Sequence, residues 1–293
     1  MGRSERSSSP GPSPGDTRDR DSDTGVDGPL SADRLSRRRI GALLGRAAFA
    51  TGLHERVLGD RAVVALFHRV DDRLRGDPLS CSRAEFAAFC DFFRTHFNVI
   101  TLTDLLGRLE RKQDVRGCLV ITFDDGYKDN IEAAAPELSK RGLPCCFFVA
   151  TDFIGTNIVP WWDEQLPVRC PWMTWEDVRR LDNAGFEVGS HTMSHADMGK
   201  VAGDEARREL RGSRERLERE LNKPVHLFGY PYGRRNNMTE ENRVAVREAG
   251  YSCCLSAFGG LVPPDADAFH IRRVPVSSWI SSPYHLGFAL LRQ

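Results

Sequence analysis

The chain is 293 residues long, enough for one large α/β domain, and its 41 Lys+Arg are matched by 41 Asp+Glu. A formal net charge of zero leaves no global field drawing it to nucleic acid or an anionic membrane, so any partner has to be argued from local features. Its eight cysteines have no Cys-x-x-Cys spacing, so neither a zinc ribbon nor a thioredoxin-like redox motif is suggested.

Residues 1–39 read as a disordered tail rich in Ser, Pro, Gly and Arg, because so few large apolar side chains cannot offset chain entropy by burial. Residues 40–60 read as a short apolar or amphipathic segment. Ser36-Arg37-Arg38-Arg39-Ile40 and the apolar run to Ala50 resemble a twin-arginine export signal, but Arg46 interrupts the run and leaves it too short for a signal core or a span. The expectation is a short helix that packs on the domain or makes peripheral membrane contact through residues 36–53, with a cytoplasmic or membrane-peripheral location and export as the alternative.

From residue 61 to 293 the pattern is regular. Ala62 to Phe67 is short, continuous and apolar, as a buried strand is, and His68 follows it. Ser82-Arg83-Ala84-Glu85 is a capping box that opens an amphipathic helix through Phe86, Phe89, Cys90 and Phe93. Strands are expected at 98–100, 118–123, 145–150, 186–189, 226–229, 251–255 and 270–274. Helices are expected at 103–112, 131–140, after Thr174, at 203–221 and at 239–249. The helix at 203–221 is so charged that it reads as a solvated face. Such βα alternation implies a mainly parallel sheet, closed or open, whose active groups collect at the C-terminal strand ends.

That rule selects residues. The strand ending at Phe123 runs into Asp124-Asp125-Gly126, and the strand ending at Gly189 runs into Ser190-His191-Thr192-Met193-Ser194-His195. Histidines at i and i+4 share one face of a helical turn, and a carboxylate from a neighbouring strand end makes a two-His, one-carboxylate set with coordination positions left for water. Such an open site suits hydrolysis. The long connection 152–173, with Trp161, Trp162 and Trp172, either offers aromatic faces to sugar rings or packs over the domain.

Thr122-Phe123-Asp124-Asp125-Gly126, the stretch Ser190-His191 to His195 and Tyr230-Pro231-Tyr232-Gly233 resemble, in order and separation, the first three motifs of the polysaccharide deacetylases of the NodB-homology type, carbohydrate esterase family 4. The resemblance covers about Val63 to Val276 and includes the Leu66-Phe67-His68-Arg69-Val70 entry. It implies an α/β fold, a distorted (β/α) barrel, with 61–293 as the catalytic domain. It also implies a metal-dependent hydrolase that removes N-acetyl groups from an N-acetylhexosamine-containing polysaccharide and releases acetate.

By position, Asp124 would be the general base. Asp125, His191 and His195 would hold a divalent ion, zinc foremost, with cobalt, nickel or manganese as alternatives, and the backbone N–H of Tyr232 would serve the oxyanion. Two features depart from the family pattern. The arginine usual before the Pro-Tyr pair is replaced by Phe228-Gly229-Tyr230, and Arg273 resembles an arginine near the end of this branch that would hold Asp124 ionised. The C-terminal Leu-x-His is not recognisable, since His285 lacks matching context, so His68 is the candidate general acid, with a structural histidine as the alternative. His54, His96, His226 and His270 read as structural. Hydrolysis of another amide, a cyclic imide or an N-acetylated small molecule, and non-catalytic glycan binding are the other two readings.

Overall fold

The computed structural model describes residues 32–293. Two helices, α1 (Ala32–Ala50) and α2 (Leu53–Leu58), lead into β1 (Val63–Phe67). Next come the short pair β2 (Arg69–Val70) and β3 (Ser80–Cys81), then α3 (Arg83–His96), β4 (Asn98–Val99), α4 (Leu102–Glu110), β5 (Cys118–Phe123), α5 (Ala135–Arg141) and β6 (Cys146–Val149). The chain continues through α6 (Trp175–Asn183), β7 (Glu187–Ser190), α7 (Gly203–Leu221), α8 (Glu240–Glu248), β8 (Leu255–Gly259), β9 (Ile271–Pro275) and α9 (Pro283–Leu290). Local chemistry sets several starts: Ser82 and Thr174 complete capping boxes with Glu85 and Asp177, and Thr101, Thr239 and Ser282 accept backbone N–H bonds at α4, α8 and α9.

Seven strands form one parallel sheet in the order β7-β6-β5-β1-β9-β8, with β4 beside the start of β5, and β2 and β3 pair in a separate two-stranded sheet. Register runs Phe67 to Phe123 to Phe147 across β1, β5 and β6, and these rings lie 5.4 Å apart at each step. Phe86, Phe89 and Phe93 of α3 pack on the same face, and each such buried ring stabilises the fold by about 1.5–3 kcal/mol. The opposite face carries Val64, Val120, Phe148, Leu255 and Ile271. There the sheet curls into a distorted barrel that no continuous ladder closes. Between β7 and β8 only the isolated bridges Ser190–Phe228 and Gly229–Leu255 span the gap.

Several boundaries differ from the pattern-based expectation. α1 starts at Ala32, so residues 32–39 are helical where a tail was expected, and the rest of that tail, 1–31, lies outside the described residues. Arg37, Arg38 and Arg39 are good helix formers that extend a helix already held at its other end. The expected strand at 226–229 makes only the two bridges, and the strand expected at 251–255 starts at Leu255 and runs on to Gly259. α9 has no polar face to announce it, because Leu286 and Leu290 are buried and Gly287 lies against Phe49 and Phe92. No described helix is long and apolar enough to cross a membrane.

Candidate active site

Four neighbouring strands deliver their ends to one edge. Asp124 N–H donates to the carbonyl of Phe67 (3.0 Å), Asp125 accepts from Ala150 N–H (3.2 Å), and His191 N–H donates to Val149 O (2.9 Å), so the loops after β1, β5, β6 and β7 are stitched together. Side chains alternate along β5, which puts Thr122 and Asp124 on the inner face with Arg273. The Arg273 guanidinium is fully buried 5.6 Å above the Phe148 ring. It donates Nη1–H to Asp124 Oδ1 (2.7 Å) and Nη2–H to Asp124 Oδ2 (2.8 Å), a bidentate pair, while its Nε–H donates to Ser256 O.

Asp125 Oδ1 lies 3.3 Å from Nε2 of both His191 and His195, and the donor atoms of these three buried residues all fall within 4.8 Å of one another. The two imidazoles do not share a helical turn as their spacing suggested. Residues 191–197 are irregular, and left-handed Thr192 (φ 64°) and His195 (φ 58°) bend the chain so that both rings meet the carboxylate. Asp125 (φ 75°) and Tyr232 (φ 60°) are left-handed as well, so four of the six described non-glycine residues with positive φ carry or adjoin this site. Gly126 (φ 94°) completes the turn after the acids, and Gly189 leaves room for Phe148, whose ring lies 2.5 Å from where a Cβ would stand.

The donor set fits a cation. His191 Nδ1 lies 2.8 Å from the carbonyl oxygen of Gly229, which can only accept, so Nδ1 carries the hydrogen and Nε2 presents a lone pair towards Asp125. Asp125 Oδ1 is itself buried without a hydrogen-bond partner. Two acceptors facing each other at 3.3 Å in a buried site repel unless a positive charge joins them, and a set of one oxygen and two imidazole nitrogens suits zinc and the neighbouring divalent ions.

Burial by itself would raise the Asp124 carboxyl, but Arg273 and then His191 hold it below the usual range. Burial also opposes ionisation of Asp125, but the facing imidazoles of His191 and His195 hold it well below that range. His68, half-buried at the end of β1, is pushed below its usual range by burial, with Asp125 and Asp124 opposing the shift and Arg273 and His191 adding to it. Tyr232 stands with its ring 4.9 Å from His195, and among the described residues its N–H makes no bond within the protein. His285 lies elsewhere, in α9 beside Gly41 of α1.

Several supporting residues carry no mark in the sequence. Trp162 packs 4.6 Å from His195 and donates its indole N–H to Tyr127 OH (2.9 Å). Tyr127 in turn donates to Asp163 (2.8 Å), which accepts from buried Arg69 (2.6 Å). Of the three tryptophans in the 152–173 loop, Trp172 is buried against Tyr127, Trp162 walls the site, and Trp161 is 67% exposed. α7 is not wholly a solvated face. Glu209 is buried and accepts from Met193 N–H (2.9 Å), Ser194 N–H (3.0 Å) and Ser194 Oγ–H (2.8 Å), which fixes the turn leading to His195.

The sequence model of the polysaccharide deacetylase family matches residues 111–254, the stretch that holds Asp124, Asp125, His191, His195 and Tyr232. Over that stretch the chain is similar to the polysaccharide deacetylase family. YxkH of Bacillus subtilis, a polysaccharide deacetylase by name, is 25% identical over 221 residues, covering 74% of this chain and 72% of its own. Among solved structures, IcaB from Ammonifex degensii is 24% identical with a TM-score of 0.65 and covers 80% of this chain and 98% of its own. The Streptococcus pyogenes deacetylase PplD, solved in complex with acetate, is 15% identical with a TM-score of 0.65, covering 77% and 96%. At these identities the structural likeness shows a shared fold. Family and fold together support a deacetylase hydrolase, with an Asp/His/His group at the strand ends.

Proposed function

We propose that this chain is a metal-dependent hydrolase that removes N-acetyl groups from an N-acetylhexosamine-containing polysaccharide or glycan and releases acetate. The observation that carries the reading is the juxtaposition of a buried Asp125-His191-His195 cluster with a second carboxylate, Asp124, clamped by Arg273 and 3.8 Å from His191 Nε2. Asp125, His191 and His195 would hold the cation, zinc foremost, with cobalt, nickel or manganese able to take its place. Bound there, it would supply a Lewis acid for the acetyl carbonyl and the attacking water.

The chain's own groups account for the rest. Asp124 stays ionised through Arg273 and faces the same space as the three ligands, so it takes the proton from water as water adds to the carbonyl carbon. The Tyr232 N–H donates to the developing oxyanion, since Pro231 has no N–H to offer and aims the next one. His68 takes up the proton that Asp124 removed from water and gives it to the departing nitrogen. Its burial keeps it neutral at rest, and the negative charge of the tetrahedral adduct favours its protonation at the moment it is needed. Exposed Trp161 beside the site supports a sugar ring as the group presented.

The test is acetate release by metal-loaded protein across a panel of N-acetylated glycans. Asp124→Asn should retain the metal and lose ~10²–10⁴-fold in turnover, and His191→Ala should lose the metal itself. Equal release by the parent and Asp124→Asn on every glycan would show the mechanism to be wrong. Activity confined to N-acetylated monomers or cyclic imides would replace the polymer as substrate.

A further inference from the structure

α1 has two unlike faces. Gly41, Gly45, Ala48 and Phe49 are buried, and the helix crosses α9 so closely that a Cβ at Gly45 would stand 2.0 Å from the Tyr284 carbonyl oxygen. Phe49 anchors the crossing by stacking on His54 at 4.0 Å and packing on Phe92 at 4.9 Å. The opposite arc is apolar and open: Ile40 is 56% exposed, Leu43 68% and Leu44 52%, and α2 adds Leu53 and Val57. Half of the exposed large hydrophobic residues among those described thus fall within residues 40–57.

The borders of this stripe are basic. Arg39 and Arg46, seven residues and so two turns apart, stand on one flank of Leu43, and Arg56 is exposed on α2. None of these three has an ion-pair partner among the described residues. Residues 36–60 hold five arginines against Glu55 and Asp60, a local excess in a chain whose formal net charge is zero. An apolar stripe bordered by arginines on a helix too polar to cross a bilayer matches the chemistry of an anionic lipid interface, where acyl chains take the stripe and phosphates take the guanidinium groups.

Other occupants fit less well. A second copy meeting the same face across a two-fold axis would bring like charges together. Residues 1–31 offer only Met1, Val26 and Leu30 as large apolar side chains, too few to cover the stripe.

We propose that α1 and α2 seat the protein on an anionic bilayer surface, with Ile40, Leu43, Leu44, Leu53 and Val57 entering the headgroup boundary and Arg39, Arg46 and Arg56 pairing with lipid phosphate. The inference is independent of the hydrolase reading. It locates the enzyme on a surface without assigning its substrate.

Flotation of the full chain with vesicles of phosphatidylcholine alone, or with a third phosphatidylglycerol, tests it. Binding is expected to the anionic vesicles only and to weaken with added salt. Arg39→Gln with Arg46→Gln should weaken it by roughly 25-fold, about fivefold for each arginine. Leu43→Ser with Leu44→Ser should abolish it while circular dichroism, melting temperature and solution activity stay unchanged, since these side chains face solvent. Absence of binding to anionic vesicles, or binding indifferent to both double variants, overturns the proposal. A concentration-dependent dimer in sedimentation that Leu43→Ser with Leu44→Ser dissolves, without vesicle binding, assigns the face to a second copy instead.

Discussion

The pair Arg273–Asp124 permits a quantitative test. Both side chains are buried, and the two N–H···O bonds at 2.7 and 2.8 Å bring opposite charges together where little water competes. With charge centres about 4 Å apart and an effective dielectric constant near 20, the attraction is about 4 kcal/mol. Arg273→Met removes it and strands a buried carboxylate, at a cost of about 3–5 kcal/mol. For a chain of this size that is a fall in melting temperature of roughly 6–20 °C.

Asp124→Asn strands the guanidinium instead and should cost a similar amount, whereas the double variant leaves no uncompensated charge and should recover most of the loss. Thermal and urea unfolding of chelator-treated protein measures the cycle without interference from metal binding. Because Arg273 holds the Asp124 carboxyl down, the stabilisation it supplies is present above the unfolded carboxylate pKa and is lost as pH falls through the lower folded value. The parent should therefore lose more stability than the double variant on acidification. Additive single-variant effects, with no recovery in the double, would refute the claim that the two residues act as one charge pair.

Tyr127→Phe deletes the hydroxyl that accepts from Trp162 and donates to Asp163, and should cost about 1–3 kcal/mol and quicken proteolysis within the 152–173 loop. Glu209→Ala frees two backbone N–H groups of the turn before His195, and should weaken metal affinity ~10–100-fold by calorimetry while Asp124 and its arginine stay in place. Asp129, which burial raises to about 6, has a folded pKa above its unfolded one, so its contribution to stability falls as pH rises from 3.8 through 6. Asp129→Asn should therefore be more stable than the parent at pH 8 by about 1–3 kcal/mol, and the difference should vanish near pH 4.

The βα alternation was legible because buried parallel strands read as apolar runs and because Ser82 and Thr174 announce their helices. Asp124, Asp125, His191 and His195 were legible as chemistry at strand ends, although the device that joins the histidines was not. Positive φ at Thr192 and His195 belongs to backbone geometry and leaves no periodic trace in sequence. Arg273 could be singled out only through the family resemblance, since its partner lies 149 residues away. Arg69, Asp163 and Glu209 were illegible for a related reason: a charged residue in a loop or a charged helix reads as solvated unless the fold buries it.

The weakly joined segment between β7 and β8 has a kinetic consequence. Six backbone bonds hold residues 226–233 there, Ser190 to Leu227, Gly229 to Ser190, Tyr230 to Leu255, Leu255 to Phe228, Ser252 to His226 and Ala257 to Gly233, but they form no continuous ladder, whereas β1 and β5 share a full one. The same segment supplies the Gly229 carbonyl that sets the His191 tautomer and runs directly into Pro231-Tyr232. Each local opening there would free an imidazole and displace the Tyr232 N–H, the proposed oxyanion donor, while the aromatic layer of Phe67, Phe123 and Phe147 stayed shut. Amide exchange at Gly229 and Leu255 and the escape of a bound cation should then share one rate, well above that of global unfolding, so the site can be dismantled and rebuilt many times within the life of a single folded molecule.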